Sequence, residues 1–294
     1  MKNIAKYLVI VALLAAPTAA RAQAEAVDLF RLGAQQLAAG MIDKAIEAFE
    51  KGVQLKPDVK EGWYNLGVAY GRKKLYTKEI ASYSKALELD PNYVNALHNL
   101  GLAYVDLAQK DKALDVLQKA AKADPNAADI WNNLGVVQMD KGDLAEAADA
   151  FRKAAAVAPN SPECRLNLGI ALLRTAEKET SKERRDPVLR EALQATVDAL
   201  TADPKFFRAA YNKGVILHRL GDAEGEIAAY RETLSIKPDH AAAFYNLAAA
   251  LSAKDDRAAA MKAWEDYIRV GSADSSERPF VENARKELTR LKNL

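Results

Sequence analysis

Along this chain apolar residues recur with the period of a helix, not of a strand. Trp63, Leu66, Gly67 and Tyr70 share one face at helical spacing, and Ile80, Tyr83, Ala86 and Leu87 do so after a short break. No stretch sustains the alternation of valine, isoleucine and threonine that a half-buried strand needs. The pattern predicts an all-α chain of paired amphipathic helices, and two residue types set its phase. Glycine stands at Gly33, Gly67, Gly101, Gly135, Gly169 and Gly214, with Ala248 next in the series. Proline stands at Pro57, Pro91, Pro125, Pro159, Pro204 and Pro238. Both series step by 34 residues apart from one step of 45, from Gly169 to Gly214 and from Pro159 to Pro204, so a single insertion of eleven residues explains both. Between each glycine and its proline lie two amphipathic patterns, and each repeat is read as a helical hairpin. Gly40, Gly142 and Gly221 mark the turn in three hairpins. The proline ends the second helix, because it lacks an N–H and constrains the residue before it.

The spacing resembles the tetratricopeptide repeat family. Its pattern has a large residue at position four, leucine and glycine at seven and eight, alanine at twenty, an aromatic at twenty-four, alanine at twenty-seven and proline at thirty-two. The fourth repeat matches with Trp131, Leu134, Gly135, Ala147, Phe151, Ala154 and Pro159. Repeat five departs, with Arg165 and Thr196 at positions four and twenty-four, and repeat seven lacks the proline. The resemblance implies a right-handed superhelical solenoid of about seven 34-residue helix-turn-helix repeats over residues 23–274. A capping helix over 275–294 should cover the last repeat, with Phe280, Ala284, Leu288 and Leu291 on one face behind Pro279. The insertion, near 176–186, contains EKETSKERRD and reads as a solvated extension of the fifth hairpin, or else as a docking contact.

The first 22 residues stand apart. Lys2 and Lys6 precede the apolar run from Tyr7 to Ala16, and Ala20-Arg21-Ala22 follows Pro17, the order of a secretory leader cleaved after Ala22. About ten apolar residues are too few to span a bilayer, which needs roughly 20. The expected location is therefore the periplasm, as a soluble chain with no membrane insertion after cleavage. Loss of Lys2, Lys6 and Arg21 from 42 basic residues leaves 39 against 40 acidic ones, so the formal charge of +2 becomes −1. That balance gives no reason to expect nucleic acid as partner. Cys164 is the sole cysteine and is read as a packing residue.

No catalytic constellation, metal-ligand spacing or cofactor fingerprint is found. His98, His218 and His240 show no metal-ligand spacing, and phosphate-binding and dinucleotide-binding motifs are missing. The chain is therefore read as a non-enzyme that needs no cofactor and no metal. What does recur is asparagine at position six, as Asn65, Asn99, Asn133, Asn167, Asn212 and Asn246, with Arg31 in that place in repeat one. At 100° per residue, position six points away from the core face formed by positions four, seven, eight and eleven. In the family that side lines the concave surface, and asparagine ladders there grip peptide backbones. A primary amide suits the task, since it offers two donors and an acceptor whatever the ligand's side chains. The alternative is that each asparagine bonds a neighbouring repeat. Position nine adds an apolar stripe of Val68, Leu102, Val136, Ile170 and Val215 beside the amides, with a rim of Arg72, Arg174 and Arg219 against Asp106 and Asp140. Position five reads Phe30, Tyr64, His98, Asn132, Leu166, Tyr211 and Tyr245, which is unlike the lysine-bearing carboxylate clamp of chaperone-tail binders. Tyr64 and Tyr211 join the candidate groove. The expected partner is an extended or helical protein segment of an envelope complex. The other readings are a structural subunit docking by its edges, insertion or cap, and a carbohydrate or cell-wall module.

Overall fold

Amphipathic stripes as short as these bury their apolar side only against each other, and the computed structural model shows how they pair. It describes the backbone of residues 2–293 and the side chains of residues 20–293. Side chains of the leader predicted over residues 1–22 lie outside the described residues up to residue 19. The helices are α1 (Lys2–Ala38), α2 (Ile42–Leu55), α3 (Lys60–Arg72), α4 (Tyr76–Leu89), α5 (Val94–Asp106), α6 (Lys110–Ala123), α7 (Ala128–Lys141) and α8 (Leu144–Val157). There follow α9 (Pro162–Lys178), α10 (Lys182–Ala202), α11 (Phe207–Leu220), α12 (Ala223–Ile236), α13 (Ala241–Ala253), α14 (Arg257–Gly271), a short 3₁₀ turn (Ser275–Glu277) and α15 (Arg278–Lys292). No strand occurs among the described residues, and the protein is an all-helical array of hairpins. The chain forms two compact units, residues 1–137 and 138–294.

The glycines at position eight let the two helices of a hairpin touch. A Cβ on Gly67 in α3 would lie 2.5 Å from the Tyr83 ring of α4, closer than carbon atoms approach. Helices α2, α4, α6, α8, α10 and α12 each end two residues before a proline of the series, as the missing N–H requires. Gly40, Gly142 and Gly221 hold positive φ of 75°, 89° and 78° in their turns. Lys74, Ala108 and Asp255 occupy the same turn position at 57°, 54° and 56°. The turn geometry is thus imposed by the hairpin and is only sometimes relieved by glycine.

In the unit of residues 1–137, Leu37, Ala45, Phe49, Val53, Leu66, Ala69 and Tyr70 form one core cluster, with Phe30 and Trp63 packed against it. In the unit of residues 138–294, Tyr230, Leu247, Leu251, Trp264 and Tyr267 are buried together with Val281, Ala284 and Leu291 of α15. The expected face of α15 needs one correction. Phe280 is 54% exposed, and Val281, 4% exposed, takes the buried place. The helix rotates so that Val281 meets the core, while the larger Phe280 ring rests edge-on against Tyr245 at 6.2 Å. Cys164 is buried and free. In the fifth hairpin α9 has 17 residues and α10 has 21, against 13 and 14 in α3 and α4, so the charged segment continues both helices around a turn at residues 179–181. Among the described residues, no helix is long and apolar enough to cross a membrane.

Candidate binding face

The side chains at position six are neither core nor free surface. Asn65, Asn99 and Asn133 in the first unit, and Asn167, Asn212 and Asn246 in the second, are all half-buried. Three of the six, Asn99, Asn133 and Asn246, reach a ring at position five of the preceding hairpin. Asn99 Nδ2 donates to the Tyr64 hydroxyl at 3.2 Å, and Asn133 Nδ2 lies 2.8 Å from His98 Nε2. In the second unit Asn246 Nδ2 donates to the Tyr211 hydroxyl at 3.1 Å. Asn283 of α15 repeats the contact with the Tyr245 hydroxyl at 3.2 Å, so the final helix carries the amide row one step further.

The chemistry of position five decides whether the bond forms. Leu166 has no acceptor, and Asn212 turns back to the carbonyl of Arg208 in its own helix at 2.8 Å. Phe30 has none either, and Asn65 makes no side-chain hydrogen bond among the described residues. The alternative reading of the asparagines, bonding between repeats, therefore holds at Asn99, Asn133 and Asn246. An amide held through its nitrogen still presents its oxygen from a fixed orientation. His98 fits the acceptor role. Burial lowers its pKa below the usual histidine value against the opposing pull of Asp129, which favours the neutral ring whose nitrogen can accept.

The position-nine residues Val68, Leu102, Val136, Ile170 and Val215 are likewise half-buried. In the second unit one of them helps to enclose a pocket of about 410 Å³. Tyr211, Val215 and Asn246 line it together with Tyr230, the small floor of Ala249, Ala250 and Ala253, and the polar groups of His218, Arg219 and Glu226. The Tyr211 and Tyr230 rings lie 5.9 Å apart. Glu226 is 7% exposed, and His218 Nδ1 sits 3.1 Å from each of its carboxylate oxygens. Arg219 turns outward to Glu177 at 2.9 Å. The pocket can take a side chain: apolar walls exclude water, and the amide and carboxylate offer orientation.

In the first unit the matching glutamate, Glu79, is also 7% exposed, and its Oε2 is buried with no hydrogen-bond partner among the described residues. Burial first, and the charge of Asp106 second, push its carboxyl up to about 7, while a hydrogen bond with Tyr83 works the other way. Among the described residues no group of three histidine, cysteine, aspartate or glutamate side chains converges for a metal ion.

Models of the tetratricopeptide repeat match residues 98–163 and 189–241, with further repeat models over 76–108 and 29–59, together more than half of the chain. The chain belongs to the tetratricopeptide repeat family. Solved structures agree. YrrB, described as a tetratricopeptide repeat protein with an unusual peptide-binding site, superposes with a TM-score of 0.58 at 26% identity, covering 68% of this chain and 97% of its own. MamA superposes at 0.54 and 26% identity, over 62% of this chain and 93% of its own. PilF of Pseudomonas aeruginosa, at 19% identity and 0.57, covers 74% of this chain and 94% of its own and shares the fold. No curated protein sequence matches the chain. Tetratricopeptide repeat proteins are scaffolds for protein and peptide interaction and are generally non-catalytic, which is the coarse function that the fold carries here.

The family pattern also shows where reading the sequence stopped short. Position twenty is alanine in Ala45, Ala113, Ala147, Ala192 and Ala260 but glutamate in Glu79 and Glu226. That departure was visible in the sequence, and it marks the two buried carboxylates. Asn283 carried no such signal, since α15 follows no repeat register.

Proposed function

We propose that this tetratricopeptide repeat protein is a non-catalytic periplasmic scaffold that binds an extended or helical segment of an envelope-complex protein along its position-six amides. In this reading residues 1–22 are a cleaved leader, residues 23–274 hold seven repeats with the insertion near 176–186, and residues 275–294 form the cap. The observation that carries the proposal is the anchoring of Asn99, Asn133 and Asn246 through one N–H to a ring of the preceding repeat. Such an amide has already lost its rotamer freedom, so a peptide backbone pairing with its remaining groups orders little in the protein. The half-buried apolar residues at position nine add side-chain contacts beside the amides. The peptide-binding site of YrrB supports a peptide as ligand. The order of positive charge, apolar run and Ala-Arg-Ala supports export.

The test is the double variant Asn99→Ala and Asn133→Ala, assayed for melting temperature and for binding to 11-residue degenerate peptides. Each alanine removes an inter-repeat bond worth about 1 kcal/mol and gains roughly 0.5 kcal/mol of helix propensity, so the fold should weaken slightly. Peptide affinity should drop by roughly tenfold or more. A destabilised variant with unchanged affinity would overturn the amide face as the binding surface. N-terminal sequencing of the mature chain from a periplasmic fraction should begin at Gln23, and a chain retained in the cytoplasm and starting at Met1 would remove the localisation.

A further inference from the structure

Five residues of the second and third repeats, Tyr64, Arg72, Glu79, Tyr83 and Asn99, recur 147 residues later as Tyr211, Arg219, Glu226, Tyr230 and Asn246. The two sets are built alike, one in each unit. Tyr64 and Tyr83 lie 5.9 Å apart, as do Tyr211 and Tyr230. The amide reaches the first tyrosine at 3.2 Å in one set and 3.1 Å in the other. Both glutamates are 7% exposed.

The sets differ in what faces the carboxylate. In the second, His218 supplies an N–H at 3.1 Å, and the next repeat presents Ala253 in the pocket wall. In the first, the residue at the place of His218 is Gly71, and Glu79 Oε1 rests 2.6 Å from where its Cβ would stand. The residue at the place of Ala253 is Asp106, a second acid. Among the described residues no cation forms an ion pair with either acid. Arg72 donates to the Leu37 carbonyl at 2.8 Å, Lys73 pairs with Asp43 at 2.7 Å, and Lys78 lies by Glu50 and the Tyr70 ring. Oε2 of Glu79 has no hydrogen-bond partner, and Asp106 no ion pair, among the described residues. The second set therefore shows what a glutamate at this place is given, a nitrogen donor, and the first set lacks it.

We propose that Glu79 and Asp106 receive the ammonium or guanidinium group of a lysine or arginine side chain carried by the segment bound along α3 and α5. The inference rests on the peptide-binding reading and adds the chemistry of one side chain to it. The incoming cation replaces the donor that His218 provides in the second set, and a buried carboxylate oxygen without a partner is costly enough for that replacement to favour binding. In the second set the internal donor fills the role, so that copy serves as the built-in contrast.

The experiment uses the full chain and four pools of degenerate 11-residue peptides whose central residue is lysine, arginine, norleucine or glutamate, with affinity read by fluorescence anisotropy. Lysine and arginine pools should bind roughly tenfold tighter than the norleucine pool, the difference a charge-assisted hydrogen bond makes. Glu79→Gln should erase that preference. Gly71→His, which imports the donor of the second set, should erase it as well, and circular dichroism verifies that both variants stay helical. Equal binding of lysine and norleucine pools overturns the cation site and leaves the peptide-binding reading standing. A preference that survives Glu79→Gln and disappears in Glu226→Gln overturns the assignment to the first set. Failure of every pool to bind removes the peptide-binding reading and this inference with it.

Discussion

Replacing Glu79 by glutamine should stabilise the unit of residues 1–137 at alkaline pH and change nothing in acid. The carboxyl is 7% exposed, and burial together with Asp106 raises it from 4.5 to about 7. The folded chain thus holds this proton more tightly than the unfolded chain, whose glutamates titrate near 4.3. The sign follows directly. The stabilising share is fully present below about pH 4.5 and is lost as pH rises through about 7. A rise of that size corresponds to about 3 kcal/mol of penalty at pH 8.5, with little solvent screening because the group is buried. Glutamine keeps the shape and can still hydrogen-bond Tyr83, but it carries no charge. Urea unfolding followed by circular dichroism should therefore show Glu79→Gln well above the parent at pH 8.5 and level with it at pH 4.5, and hydrogen exchange should place the gain in α3 to α5. Asp106→Asn should recover a smaller share, since its charge is the second cause of the raised value. A gap between variant and parent that is the same at both pH values, or that shrinks as pH rises, would refute the argument.

Three further outcomes follow from the same structure. Ala108→Gly relieves a positive φ of 54° in the third turn and should stabilise the chain by up to about 1 kcal/mol in urea unfolding, whereas Gly142→Ala should destabilise it. His98→Tyr substitutes the acceptor found at Tyr64. Burial lowers the pKa of His98, so the parent loses stability as pH falls below about 6.5, and the difference in melting temperature between variant and parent should widen from pH 7.5 to 5.5. Truncation before Ser276 removes Val281, Ala284 and Leu291 from the cluster around Trp264 and Tyr267, together with the 2.7 Å bond from the Tyr267 hydroxyl to Glu277. Light scattering of the truncated chain should rise with concentration, because a terminal repeat needs a polar cover.

The sequence alone determined the hairpins. Their helices, turns and ends rest on contacts within a few residues, which the 34-residue spacing of glycine and proline records. It also determined that the position-six asparagines face away from the core, since a helix fixes direction at 100° per residue. Which atoms those amides meet was decided by the stacking of neighbouring hairpins. Asn99 and Asn246 find a phenol 35 residues back, while Asn212, for which the preceding position five is Leu166, turns to its own helix. The turn geometry at Lys74, Ala108 and Asp255 is similar, since the packed hairpin sets the backbone there and the residue type does not relieve it. The rotation that buries Val281 in place of Phe280 came from the shape of the surface that α15 covers. The two glutamates at position twenty were legible as departures from alanine, but their consequence was not. Burial, the nearness of Asp106 to Glu79 and the imidazole beside Glu226 exist only once helices distant in the chain are side by side, because electrostatics depends on distance in space and on the water that packing has removed.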